Sequence, residues 1–444
     1  MKNIKFRNIL LSLFAAVFMF GCDGFVQNID DPIDNISDMS INNPSDIHAL
    51  AIGVLNEWAL TWDEHSLFMD GLADAMEFTR DINGASYPSY ESIDMALIVG
   101  NNQLDDRNNS NAAIFRELGR VRLYADTLVE RITNRMTFKT ADDSAARVEG
   151  LYYGYFFGAV SRYMYGYSWA LTPTRTGGVI NKSGLITSAE MYAEAIKRLD
   201  KALEFATPDQ AKQVNSLKAR IYMIEGKYAE AKAAAELGLA KGDDSFDAQY
   251  NTVGANQWYT WAGPGRTQFY AADRFGDYVY KDPKEAARIP LYTIKGSGKV
   301  TFKVDTVIAG ISYKKDVETN RVYVQEAKYG QFGSPIAFLT WQENALMLAE
   351  IDFRQTKDVA AALKSINDLR AAYKLDPITE EVLKSDYNND ILELIYVERD
   401  KTLCFTGLRI MDQRRFGKWH LDPANTWQYL PISQAEKLAN PNLK

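Results

Sequence analysis

Apolar residues recur three or four positions apart through much of this chain. Ile114, Leu118, Val121, Ala125, Leu128 and Ile132 keep that period and predict one helix. A second is predicted from Ser144, read as its N-cap, through Val148, Leu151, Tyr155 and Ala159 to a stop near Gly166. Thr187 and Glu190 have capping-box spacing ahead of Tyr192, Ile196, Leu199 and Leu203, a third helix. Residues 216–242 read as two helices joined at Glu225-Gly226-Lys227, where Gly226 takes the turn and small Ala231 lets the pair approach. Residues 345–375 repeat the scheme around a polar turn at 355–358. Two such pairs predict an all-α, tetratricopeptide-like helical-repeat scaffold with irregular, aromatic-rich insertions and a few short strands.

The insertions are predicted at about 79–109 and 251–335, where the helical period lapses. In the second, the alternating runs VTFKV (300–304) and RVYV (321–324) predict strands. Excursions on a rigid scaffold are favoured places for binding residues. Within NQWYTWAGPGRTQFY (256–270), Trp258, Tyr259, Trp261 and Tyr270 offer candidate stacking faces, with Arg266 as a polar partner. Gly263-Pro264-Gly265 is expected to fold that loop back on itself. Arg80, Tyr87 and Tyr90 form a second candidate group. A satellite core under the insertion accounts equally well for the first group. Trp58 and Trp62, four apart on one helix, and Trp341, beside Ala345 on another, are expected to be core.

The N-terminus departs from all of this. Lys2, Lys5 and Arg7 precede an apolar run from Ile9 to Phe20, the layout of a secretory leader. At about 1.5 Å per helical residue the run is far too short for a hydrocarbon core roughly 30 Å thick. It ends at Gly21-Cys22, which suits a lipoprotein signal peptidase and makes Cys22 the expected lipidated residue. Residues 23–44 are dominated by Asp, Asn, Ser and Pro and read as an acidic, flexible tether. The chain carries a net charge of −8, and the leader takes three cations and no acid with it. That balance disfavours nucleic acid and anionic membrane surfaces as partners. Cys404, between Leu403 and Phe405, is expected to be a small buried hydrophobe rather than half of a disulfide.

Little in the sequence points to catalysis. The three histidines, His48, His65 and His420, have no metal-ligand spacing, and neither a phosphate loop nor a nucleophile elbow is present. Asp390, closing the run Tyr387-Asn388-Asn389-Asp390, is expected to cap the following helix rather than to ligate calcium. No metal and no cofactor are expected. Towards the C-terminus, Ile391, Leu394 and Ile395 set an apolar helical face that also carries Glu398. A carboxylate there needs a cation. Arg409, Asp412 and Arg415, three apart on a following helix, supply an Arg-Asp-Arg row. Pairing of Glu398 with Arg409 or Arg415 is therefore expected to fix the angle between these helices.

Glu398-Arg399, Phe405, Gly407, Arg409, Asp412 and Arg415, followed by YLPISQAEKLANPNL (429–443), resemble the C-terminal signature of the SusD/RagB family of outer-membrane nutrient-binding lipoproteins of Bacteroidota. The Ala349-Glu350 step and the aromatic helix ending at Tyr165-Gly166 are similar to other parts of that family, whereas Thr406 and Ile410 depart from it. The resemblance implies a leader over 1–21, a tether over 22–44 and a single domain over 45–444. Within that domain it fits helix pairs at about 112–165, 188–242, 338–375 and 388–420. It implies a lipid-anchored protein, not an enzyme, that captures an oligosaccharide or peptide at the cell exterior and delivers it to a SusC-like TonB-dependent transporter. Two other classes fit part of the sequence: a helical-repeat lipoprotein adaptor for another protein, and a secreted glycan-degrading enzyme.

Overall fold

A computed structural model describes residues 41–78, 88–100, 103–263, 268–293, 302–308, 311–316 and 322–443. Cys22 and the tether up to residue 40 lie outside these segments, as do Arg80, Tyr87 and Arg266. Three long helices, α1 (Ile47–Leu72), α3 (Asn109–Asn134) and α4 (Ala141–Ser168), pack on one another, with short α2 (Pro88–Met95) against α1. The start of α4 lies earlier than the expected Ser144. Thr140 and Asp143 make the capping box there, with Asp143 N donating to Thr140 Oγ1 (3.1 Å) and Thr140 N to Asp143 Oδ2 (3.0 Å). Ser144 sits one turn inside and donates back to Thr140 O.

Close contact of α4 with its neighbours comes from glycines at four-residue spacing, Gly150, Gly154 and Gly158, on one face. A Cβ at Gly154 would lie 2.6 Å from Val129 Cγ2 and 3.1 Å from Ala125 O on α3. From Phe156 to Ser168 every residue of α4 is buried, and Phe157 joins Trp58 of α1 at a ring separation of 5.0 Å. Trp58, Trp62 and Phe338 form one aromatic cluster, so both tryptophans are core as the sequence predicts.

The helix pairs follow. α5 (Ser188–Leu203) starts at the Thr187–Glu190 box. α6 (Pro208–Ile224) and α7 (Tyr228–Ala235) turn at Gly226, whose φ of +72° is left-handed, and Ala231 is fully buried between them. α6 begins well before Ser216, capped by Thr207 with Gln210. After α8 (Asp273–Lys281), α9 (Trp341–Thr356) and α10 (Val359–Ala372) form the second pair. Met347 and Ile351 of α9 share a small core with Met223, Ala231 and Ala235. α11 (Glu380–Asp386), α12 (Ile391–Thr402), α13 (Arg409–Phe416) and α14 (Gln434–Ala439) complete the helices. Asp390 caps α12, accepting from Leu392 N and Glu393 N. The molecule is thus an all-α, tetratricopeptide-like scaffold.

Its strands are short. β1 (Met76–Phe78) pairs with β6 (Phe269–Ala271), and the sheet continues through β10 (Val322–Glu326), β9 (Ile311–Asp316) and β8 (Phe302–Ile308), with β7 (Leu291–Thr293) also on β10. β8 and β10 fall on the runs at 300–304 and 321–324 where the sequence predicts strands. β2 (Trp169–Thr172), β3 (Arg175–Gly178), β4 (Ile186–Thr187) and β12 (Leu430–Pro431) make a second sheet, and β5 (Phe246–Ala248) pairs with β11 (Ile336–Leu339).

Candidate functional site

The register of β1 against β6, Met76 opposite Ala271 and Phe78 opposite Phe269, has a direct consequence for the two aromatic groups. Glu77 stands opposite Tyr270 in that ladder, so two segments far apart in sequence, one from each insertion's border, meet in one sheet. A side-chain contact confirms the juxtaposition: Tyr90 of α2 meets Trp261 edge to face at 5.9 Å.

Trp258–Ala262 forms a π-helical turn held by its own backbone and by α1. Gln257 N donates to Asp63 Oδ2 (2.9 Å), Trp258 N to Asn256 Oδ1 (2.8 Å) and Gly263 N to Trp258 O (2.6 Å). A Cβ on Gly263 would lie 2.8 Å from Tyr259 Cα, so this fold-back requires glycine. The turn divides its aromatics. Trp258 points inward, is fully buried, donates Nε1–H to Ser66 Oγ (2.8 Å) and packs on Tyr329 at 5.2 Å. It exposes no face for stacking, and here the satellite-core alternative describes the residue correctly. Tyr270 is likewise enclosed, its hydroxyl donating to Glu77 Oε2 (2.6 Å), and Tyr90 is buried among Phe68, Phe78 and Phe269.

Tyr259 and Trp261, on the other face of the turn, are half-buried. Tyr259 packs on Phe332 at 4.3 Å, and Phe332 is 47% exposed. Phe332 was not among the sequence candidates. Its signal was weak: one aromatic among Gln331, Gly333 and Ser334, in a turn whose return to residue 259 only the fold reveals. Tyr259 and Phe332 pack on each other and Trp261, two positions along the same turn, packs on Tyr90; these three partly exposed rings are the aromatic rim.

The C-terminal charges pair differently from the expectation. Glu398 is buried and bound by Arg288 (Nη1 to Oε2 2.7 Å, Nη2 to Oε1 3.0 Å) and by Arg370 Nη1 (2.8 Å), not by Arg409 or Arg415. Arg288 also holds Glu285, which Lys401 reaches at 3.0 Å. Arg415 instead pairs with Glu350 (2.7 Å) and Asp412 (2.9 Å), and Asp412 takes Arg399 at 2.8 Å. Arg409 faces Asp400 at 3.4 Å, and Arg274 binds Asp400 at 2.7 Å. The four consecutive residues 398–401 thus each reach different ionic partners. Burial pushes the carboxyl of Glu285 up, but the bonds and charge of Arg288 and Lys401 overcome it and hold it at about 2.

Other polar groups are sealed. His65 and Ser168 hydrogen-bond at 2.7 Å, yet both are fully buried, and burial lowers the His65 pKa to about 3. No substrate reaches that pair. Cys404 is a buried free thiol, as expected, with burial raising its pKa to about 12. Among the described residues no His, Cys, Asp or Glu cluster is suited to hold a metal ion, and no helix is long and apolar enough to cross a membrane.

Neither a protein-family model nor a curated protein sequence matches this chain. Solved structures do. A SusD superfamily protein from Bacteroides thetaiotaomicron superposes with a TM-score of 0.66 at 16% identity, covering 90% of this chain and 99% of that one. B. fragilis NanU gives 0.63 at 14% identity over 94% and 99% of the two chains. A laminarin-binding SusD-like protein gives 0.64 at 13% identity over 90% and 98%. The fold of this chain is that of the SusD superfamily.

Proposed function

We propose that this protein is a surface lipoprotein that binds an oligosaccharide, or failing that a peptide, and passes it to a TonB-dependent outer-membrane transporter. The observation that supports this reading most is the fold likeness to SusD superfamily proteins along nearly the whole of both chains, one of them described as laminarin-binding. The aromatic rim of Tyr259, Trp261 and Phe332 is consistent with it. Rings set on a rigid turn stack on sugar faces at little entropic cost. Arg80, Tyr87 and Arg266, close in sequence to β1, α2 and β6 respectively, remain candidate polar and stacking partners. Binding without chemistry suffices for this role, and the proposed anchor is Cys22.

The test begins with outer membranes solubilised in mild detergent. A large β-barrel protein should co-purify with this chain, and Cys22→Ser should release the chain from the membrane fraction. Calorimetry against a panel of neutral oligosaccharides and peptides then identifies the ligand class. A barrel-free protein that consumes a polysaccharide would replace this reading with that of a secreted enzyme.

A further inference from the structure

A cleft of about 420 Å³, lined by none of the rim residues, lies between α3, the 179–182 loop and the start of α14. Its charge is opposite to that of the molecule. Arg116, Arg122 and Lys182 line it against one carboxylate, Glu436, in a chain of net charge −8. Glu436 already accepts from Asn440 Nδ2 (3.2 Å). Arg122 is only 9% exposed, and its Nη1 donates to Asp126 Oδ2 at 3.1 Å. Asp126 offers little further neutralisation, because Arg162 and Arg198 also bind it at 3.0 Å.

Two locally unfavourable features build the space. Gly119 sits mid-helix between Arg116 and Arg122, where its missing side chain opens the floor onto the Tyr165 hydroxyl. Across the cleft, Asn181 and Lys182 both hold left-handed backbone, φ +51° and +58°. The C-terminal tail pins that loop, with Asn440 Nδ2 donating to Ser183 O (2.9 Å) and Asn442 Nδ2 to Lys182 O (2.8 Å). Lys182 is thereby presented from a fixed backbone opposite a planar guanidinium. Guanidinium and ammonium converging on a half-open cleft match an oxyanion.

We propose that this cleft is a binding site for the oxyanion, carboxylate or sulfate, of an acidic oligosaccharide. It is separate from the aromatic rim and does not depend on what the rim binds. The test is calorimetry on the full-length protein in detergent micelles with three probes: oligogalacturonate, a sulfated galactan oligosaccharide and a neutral cello-oligosaccharide. At least one acidic probe should bind, more weakly as salt rises, with the carboxylate and sulfate arms distinguishing the two sources. Arg116→Gln with Lys182→Gln, both exposed side chains, should weaken that probe about tenfold or more, while Tyr259→Ala with Trp261→Ala should leave it unchanged. Absence of binding by both acidic probes, or equal binding by the Arg116/Lys182 variant, would overturn the proposal. Loss caused only by the aromatic variant would assign the acidic ligand to the rim instead.

Discussion

Trp258 and Trp261 stand three positions apart and have opposite roles in the structure. Replacing fully buried Trp258 by Ala should cost about 3–5 kcal/mol, because a large cavity opens beneath the π turn and Ser66 loses its donor. Trp261→Ala and Tyr259→Ala, on half-buried rings, should cost much less, so urea midpoints separate packing from binding. A loss of ligand affinity in the Trp258 variant alone therefore says nothing about the rim. Asp70 gives a second test at this scale. Burial, with Asp400 nearby, raises its pKa to about 7 although Gly407 N donates to it at 3.0 Å. The folded protein thus keeps a proton that the unfolded chain has already lost near pH 4, and stability falls as pH rises from about 4 to 7. Asp70→Asn keeps an acceptor for Gly407 and removes the titration. Its urea midpoint should gain on wild type between pH 5 and pH 8, and a constant difference across that range would reject the assignment. Gly119→Ala is the third. The added Cβ would lie 3.4 Å from Tyr165 Oη, an ordinary contact, so helix propensity should raise stability by about 0.5–1 kcal/mol. The same methyl narrows the cationic cleft, and affinity for an acidic oligosaccharide should fall as stability rises.

Among the elements, helices were legible wherever their signals were local. Thr187 with Glu190 and Asp390 before Ile391 read correctly, because a cap is decided within four residues. The short helix α2 inside the first insertion was not read, since its eight residues carry little period beyond Pro88 at the first position. Glu398 shows where such reading runs out. Its need for a cation follows from an apolar helical face, but Arg288 stands 110 positions upstream and only the tertiary fold selects it over Arg409 or Arg415. The consequence is testable. Arg288→Met leaves Glu285 and Glu398 buried with too little positive charge and should cost about 3–5 kcal/mol at pH 7. The folded Glu285 carboxyl is held at about 2, below its unfolded value, so its contribution is full above about pH 4.5 and vanishes as pH falls through 2. The penalty of Arg288→Met should accordingly shrink on acidification in denaturant titrations, whereas loss of packing alone would give a penalty independent of pH.

At the scale of the whole molecule, the C-terminal tail joins parts that are far apart in sequence. β12 pairs in parallel with β2, and Asn111 Nδ2 donates to Pro431 O (2.6 Å) while its Oδ1 accepts from Trp169 Nε1 (2.9 Å). Gln434 N donates to Asp106 O (2.7 Å), and Asn440 and Asn442 hold the 182–183 loop. The sequence carried the tail as a family-like signature without a physical role. That role appears only when residues 111, 169 and 431 are neighbours, which no local period encodes. Leu430 and Ile432 are fully buried and Leu443 nearly so. At about 1.5–3 kcal/mol for each buried aliphatic side chain, removing residues 429–444 should cost roughly 5–9 kcal/mol. A native domain has only about 5–15 kcal/mol in all. The truncated chain is therefore expected to lose its near-ultraviolet circular dichroism and its cooperative urea transition together. Retention of both would mean that the tail is an appendage rather than part of the core. The point substitution Asn442→Ala, which frees only the Lys182 carbonyl, should leave both signals intact and weaken the acidic probe several-fold, separating the tail's structural role from its part in presenting the cleft.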